Sequence, residues 1–509
     1  MLPPSPPRSG VWAAADAATA AALATGESAF PSAKKLAPSP PPLSIRSSFS
    51  ASSAVLLTGA AGYVGSVVLE HLLRATPCPV VYVLVRPKKG VPAATRIDKL
   101  LTRPLFAAVH APGTAAPSAA TRARVVVVEG DLQAEALGLS VGDWAMLTGA
   151  GVGAGAGPSP PRPGAGARAA PPPPNPLSCA GAPGGRAVAG GGGGTTTPPP
   201  KHPVTAPATT PSSITHIIHC AASISFTAPI QALLSQNYGA TAGVLALAAA
   251  CTRLAAFVHV STAYVQAHLT RGSLAREELA RVDLGRGDNH VSLAARLATA
   301  VGPAAAEDAA AVALAATGLP NTYCLTKHLA ECLVADAAAS APYGVSIVRP
   351  TIVASISQHA HAPAAVGYVG NAAGFTSVFL AYALGLVMYT CHRPDSIFDL
   401  VPGDVAAGVV LAAGAAAAEQ AVGGGRAGSL PLIFHAASST TNPITLIDLM
   451  LAVHLFVEVR WRQRGGKMGD VRRTALCVHT TARACPHPRL SLSLRTLSAR
   501  RNRVNSRTH

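Results

Sequence analysis

Tyr323 and Lys327 stand four residues apart in Asn321-Thr-Tyr-Cys-Leu-Thr-Lys327, a spacing that puts both side chains on one face of a helix. An ammonium beside a phenol favours phenolate. It would bring the tyrosine towards a working pKa and let it hand a proton to a carbonyl oxygen as hydride reaches the carbon. Leu325, Leu329 and Leu333 recur every four residues and support a helix over 321–337. Upstream, the apolar run 256–260 ends in Ser261 and Thr262. Small hydroxyl residues at the carboxyl end of a parallel strand face the crevice where ligands bind, so either could hold a substrate carbonyl. The same residue types also cap helices and form turns.

A proton donor of this kind needs a hydride source, and the chain holds a seat for one. Thr58-Gly59-Ala-Ala-Gly62-Tyr63-Val64-Gly65 follows the apolar run 54–57 and precedes 66–73, so it falls where a strand turns into a helix. Gly59 permits the tight turn, Gly62 lets the backbone approach a pyrophosphate, and Gly65 lets helix and strand pack closely. The spacing alone is weak in a chain with 47 glycines; the flanking strand and helix give it meaning. The next strand, 80–85, ends in Arg86-Pro-Lys88-Lys89, where a site for NAD carries an acidic residue against the ribose 2′-hydroxyl. Basic groups there favour a 2′-phosphate, hence NADPH, with Arg86 as the main contact and Lys88 and Lys89 as helpers or a solvated charge run. A third strand, 124–129, leads to Asp131, at a position suited to an adenine contact. The strand 215–219 ends in Cys220-Ala221-Ala222, small enough to let a nicotinamide riboside pass over it.

Strands alternating with helices predict an α/β fold, a doubly wound parallel sheet with helices on both faces. Around this core the composition changes. Residues 1–52 are rich in Ala, Ser and Pro with four basic and two acidic residues, which suits a disordered or transit segment and lacks a secretory apolar core. Residues 149–213, with runs of Pro, Gly and Thr, form a low-complexity insert that a surface connection can tolerate. The net charge of +17 resembles a nucleic-acid signal, yet residues from Leu451 onward carry 13 Lys or Arg against two acids and supply +11 of it. The core is only mildly basic, residues 456–509 read as a basic disordered or aberrant tail, and no specific nucleic-acid partner is expected. Nine irregularly spaced cysteines predict a reducing, intracellular compartment with no disulfide framework, and no metal site is expected. The uncharged run 362–391 is long enough by hydropathy to span a bilayer.

The segments "VLLTGAAGYVGSVVLEHLL", "VYVLVRPKKG", "GDLQAEALGLS", "ITHIIHCAASISF", "FVHVSTAYV", "PNTYCLTKHLAE", "VSIVRPTIV", "DLVPGDVAAGVVLA" and "SSTTNPIT" resemble, in this order, the extended short-chain dehydrogenases. Within that group they resemble the fatty acyl-CoA reductases with a male-sterility-type NAD-binding domain. The likeness spans about 330 residues between Ser53 and Met450; "LVRPKKG", "HVSTAYV", "NTY…TK" and "NPIT" separate it from sugar-nucleotide epimerases and steroid dehydrogenases. The resemblance implies a Rossmann-type domain over 53–455, with a small substrate lobe assembled after Val348. It implies Thr262, Tyr323 and Lys327 as the catalytic set, with Lys327 also holding the cofactor ribose. It further implies phosphate contacts at Thr58, Gly59, Gly62, Tyr63, Val64 and Gly65. The implied reaction is NADPH-dependent reduction of a long-chain fatty acyl-CoA through an aldehyde to a fatty alcohol. In the family the run 362–391 belongs to the substrate lobe and lines an acyl pocket; otherwise it would make peripheral membrane contact, and a plastid, endoplasmic-reticulum or peroxisomal address stays open. Two other readings stand beside this one: a reductase of another carrier-bound thioester, ketone or aldehyde, and an NADPH-binding protein without turnover.

Overall fold

The computed structural model describes residues 44–150, 213–270, 272–357, 363–370, 375–383, 396–422, 429–446, 448–450 and 452–453. Four- to seven-residue runs rich in Val, Leu and Ile become strands because they can be buried on both faces of a sheet. β1 (Ala54–Thr58), β2 (Val80–Val85), β3 (Val125–Glu129), β4 (His216–His219), β5 (Ala256–Val260), β6 (Gly344–Pro350) and β10 (Leu432–Ala436) form one seven-stranded sheet. Its order is β10–β6–β5–β4–β1–β2–β3 with every pair parallel. Two short ladders lie outside it, β7 (Ile352–Ala354) with β9 (Leu400–Pro402) and β8 (Ile397–Phe398) with β11 (Ile444–Thr445). With the helix Phe375–Ala383 they make up the described part of the small lobe.

Alternate strand residues feed two cores. Leu56, Tyr82, Leu84, Ile217, Phe257 and Ile347 meet the helices Ala240–Ala250, His290–Thr299 and Thr322–Ala338 on one side. Leu57, Val83, Val85, Ile218, Val258 and Val348 meet Tyr63–Ala75, Ala93–Leu101 and Gly403–Val422 on the other. The molecule is thus a doubly wound α/β domain of the Rossmann type. Strand order reverses between β1 and β4, which opens a crevice at their carboxyl ends, where such sheets bind ligands.

One expectation changes. The folded part begins before Ser53: Ser44 caps a short helix, Ile45–Ser48, and Phe49 is fully buried in the second core, so 44–52 are not a disordered leader. One aromatic among the serines supplies the anchor; 1–43 lie outside the described residues. The run 362–391 is described only in part, as the turn Pro363–Ala365 and the helix Phe375–Ala383. Among the described residues the helix that is long and apolar enough to cross a membrane is Gly403–Val422, despite Asp404. It is a core helix: Ala406, Ala407, Val410 and Leu411 are buried against the sheet, and a Cβ on Gly344 of β6 would collide with the Ala417 carbonyl.

The insert interrupts a connection. Gly149 ends the helix Val141–Thr148 in the left-handed region at φ 73°, and a Cβ there would lie 2.7 Å from that of Ser213. Ile214 donates its N–H to the Leu147 carbonyl at 3.1 Å, so the chain leaves and returns at one point. Residues 151–212 between these ends, and 454–509, which include the basic tail, lie outside the described residues.

Candidate active site

The turn after β1 works through its backbone. Gly59 has φ +75°, and a Cβ on it would sit 2.6 Å from the Ala221 nitrogen at the end of β4. A Cβ on Gly65 would strike the Gly59 carbonyl, and Gly62 is the N-cap of the thirteen-residue helix Tyr63–Ala75. Free N–H groups and the positive helix end therefore face the crevice, as a pyrophosphate requires. The side chains of the motif face elsewhere. Thr58 is fully buried and its hydroxyl donates to His219 Nδ1 at 2.7 Å. Tyr63 sends its hydroxyl to the carbonyls of Ala354, at 2.7 Å, and Tyr368, at 3.0 Å, and Val64 packs beside the second core. At these three positions only backbone groups are left for phosphate.

A cleft of about 240 Å³ runs along the strand ends, lined by Gly59, Ala60, Arg86, Lys88, Arg96, Asp131, Ala221 and Ser223 among others. It joins the glycine turn to the residues expected at the adenosine and nicotinamide ends, so its lining fits a dinucleotide. Arg86 Nη1 lies 3.4 Å from Asp131 Oδ2, both side chains about half exposed, so the two candidate contacts also hold each other. Arg96, which the sequence did not single out, donates to the Arg86 carbonyl and adds a second guanidinium to the lining of the cleft.

The helix Thr322–Ala338, capped by Asn321, carries Tyr323 and Lys327 on its sheet-facing side, exposed by 9% and 1%. Burial pushes the Tyr323 phenol up to about 12, opposed by a hydrogen bond with Thr262. Thr262 stands at the carboxyl end of β5 and also accepts the N–H of Tyr264 at 3.3 Å, so it is both cap and phenol partner. The expected lowering of the phenol by Lys327 is not found. The lysine reaches under β5 instead, donating to the Val260 carbonyl at 2.8 Å and to His259 Nε2 at 3.0 Å. Burial lowers its own pKa to about 8, with Glu331 and then Cys220 opposing the fall. The phenol is a proton donor as it stands, which is the state the chemistry uses. Ser261 is buried with no partner for its hydroxyl among the described residues.

Several framing residues were not legible beforehand. Thr241 donates to the Asn237 carbonyl at 2.6 Å and so accepts from His219 Nε2, at 3.2 Å. This leaves His219 Nδ1 to accept from Thr58, and burial keeps the ring neutral by lowering its pKa to about 3. Asn237, in a π-type turn (Ser235–Gly239), accepts from the Ser223 N–H at 2.7 Å and donates to Thr326 at 3.0 Å, tying the loop after β4 to the helix Thr322–Ala338. Arg349 of β6 grips Glu331 of the same helix with two bonds of 2.9 and 2.7 Å, both groups at most 1% exposed. Phe226 lies edge-on to Tyr323 with ring centroids 5.5 Å apart.

A Rossmann crevice joined to a tyrosine and a lysine at the carboxyl end of the central strands defines an NAD(P)-binding domain of the Rossmann class. The chain belongs to the NAD-binding family described as Male sterility protein, whose model matches residues 57–151 and 208–410, more than half of the chain. The match breaks where the insert lies. Fatty acyl-CoA reductase 2 of Mus musculus is 24% identical over 417 residues, covering 82% of this chain and 64% of that protein. Fatty acyl-CoA reductase 1 of Gallus gallus is 26% identical over 362 residues, covering 70% and 54%. The chain thus spans roughly half to two thirds of the length of these relatives. Among solved structures, the reductase domain of a non-ribosomal peptide synthetase from Mycobacterium tuberculosis is similar at 17% identity and TM-score 0.45, covering 85% of this chain and 77% of that one.

Proposed function

We propose that this chain is an NADPH-dependent reductase of long-chain fatty acyl-CoA thioesters that carries the acyl group through an aldehyde to a fatty alcohol. The observation that carries the reading is the Tyr323–Thr262 pair at the end of β5, beside a loop whose Ile224 and Phe226 are apolar and about two-thirds exposed. A polar proton donor flanked by open apolar side chains suits a carbonyl at the end of a hydrocarbon chain. The likeness to fatty acyl-CoA reductases supports the thioester, and Arg86 with Arg96 supports the 2′-phosphate.

NADPH, when bound, supplies the hydride. The chain does the rest: the glycine turn and the first helix take the pyrophosphate, Arg86 and Arg96 the 2′-phosphate, and Lys327 the ribose. Thr262 orients the thioester carbonyl, and Tyr323 Oη gives its proton to the carbonyl oxygen as the carbon accepts two electrons. Collapse of the resulting hemithioacetal releases the CoA thiol and an aldehyde, and the reprotonated phenol, with a second NADPH bound, gives its proton again as the aldehyde becomes the alcohol. The test is to incubate purified protein with palmitoyl-CoA and NADPH and to identify lipid products by mass spectrometry. Hexadecanol or hexadecanal is expected. Turnover only with a carrier-bound thioester or a free carbonyl compound would replace the substrate, and NADPH binding with no turnover of any of these would overturn the enzymatic reading.

A further inference from the structure

His259 is the last but one residue of β5, where the strand otherwise holds Ala256, Phe257, Val258 and Val260. It is fully buried, and its Nδ1 has no partner among the described residues. A buried donor without an acceptor costs stability, so packing is a poor reason for an imidazole there. Its other nitrogen has a definite task. Lys327 as an ammonium has no lone pair, so at 3.0 Å it must donate and His259 Nε2 must accept, which puts the ring proton on Nδ1. The ammonium has three N–H donors. The Val260 carbonyl takes one, His259 takes the second, and one is left over.

We propose that His259 is a positioning residue: its Nε2 and the Val260 carbonyl clamp the Lys327 ammonium against β5, so that its third N–H is directed at the cofactor ribose and the Tyr323 side of the site. This rests on the role given to Lys327 above. The groups facing the ammonium support it. From the end of β4 come His219, kept neutral, and Cys220, whose thiol burial pushes up to about 12. Its own helix presents Tyr323 one turn before and Glu331 one turn after, the carboxylate already gripped by Arg349. The burial of the ammonium is thus offset by the Glu331 carboxylate one turn away and by two direct neutral acceptors, of which His259 is the side chain.

The test follows Lys327 in the cofactor-free full chain by NMR of 13Cε-labelled lysine, assigned through Lys327→Arg, and in parallel measures NADPH affinity by fluorescence. An acceptor stabilises the charged form, so His259→Leu should move the Lys327 midpoint down by about one pH unit. NADPH binding should weaken by about tenfold above both midpoints, where the charged fraction falls by that factor, and by about twofold at pH 7. His259→Gln, whose side-chain oxygen can take the place of Nε2, should return both values close to those of the native chain. His259→Asn, polar but too short to reach, should behave like His259→Leu and stands in for it where the leucine variant does not fold. An unchanged midpoint in the leucine or asparagine variant would overturn the proposal, as would a glutamine variant impaired as much as they are. Neither readout uses an acyl substrate, so failure to reduce acyl-CoA would fall on the proposed function and leave this test standing.

Discussion

Arg86 keeps 52% of its side chain in solvent while Lys327 keeps 1%, although both are assigned to the same dinucleotide. The adenosine end is built from glycines, helix-end N–H groups and exposed guanidinium groups. The reacting end is built from buried side chains held by other buried side chains: Lys327 by His259, Glu331 by Arg349, Asn237 by Thr326. The contrast follows from the two tasks. Holding phosphates calls for close backbone approach and charge, which water only screens. Moving a proton calls for fixed geometry and an environment that sets the protonation state, which water would average away. The first end should therefore tolerate surface changes and respond to salt; the second should fail when one partner is removed.

The sharpest way to break this comparison is Tyr323→Phe, which keeps the ring and removes the proton. Acyl-CoA-dependent NADPH oxidation should fall by about 10²–10⁴-fold with NADPH affinity retained, as read by fluorescence titration. A variant that turns over at the native rate would strip the tyrosine of its role. Arg349→Met leaves Glu331, on the helix that carries Tyr323 and Lys327, buried and unpaired. Stability should drop by about 3–5 kcal/mol in urea denaturation. A loss below 1 kcal/mol would mean that this end is not stiffened as described. At the adenosine end, Arg86→Glu should weaken NADPH relative to NADH by about 1.5 kcal/mol, the low end for a charge-assisted contact because the guanidinium is half in solvent. Equal affinity of the native chain for both cofactors would remove the 2′-phosphate from the argument. Smallest of all should be the replacement of 151–212 by a short Gly-Ser linker. NADPH binding should persist, and stability should stay level or rise by about 1–2 kcal/mol as the loop shortens. Loss of binding would show that the insert contributes to the crevice.

How much of this was legible in the sequence tracks the same divide. Gly59, Gly62 and Gly65 could be read because a positive φ, a helix N-cap and a close approach to a carbonyl are local demands that glycine meets. The strand ends followed from apolar runs, within a residue or so of their observed limits, and the catalytic helix from its leucine repeat. Partners at the reacting end could not be read. Lys327 and His259 are 68 residues apart, Thr58 and His219 161 apart, and no local pattern announces such pairs. Helix periodicity placed Tyr323 and Lys327 on one face but said nothing of where the ammonium would point, so the direction of the phenol shift was misjudged. A signal was available in the strands: His216, His219 and His259 are imidazoles in runs that are otherwise apolar, and such residues need buried partners.

Tyr63 opens the helix that seats the phosphates, yet its hydroxyl is spent on Ala354 and Tyr368, nearly 300 residues downstream. Two glycines make room for it: a Cβ on Gly403 would lie 2.5 Å from that oxygen, and one on Gly370 2.8 Å from the ring. Positions 63, 370 and 403 thus share one space, and what can be accepted at one depends on the others. Gly403→Ala should be far less damaging in a Tyr63→Phe background, which frees the hydroxyl's volume, and a double-mutant cycle in thermal unfolding would expose that coupling. Drift in the lobe's sequence is to that extent on a leash held by the first residue of the phosphate helix.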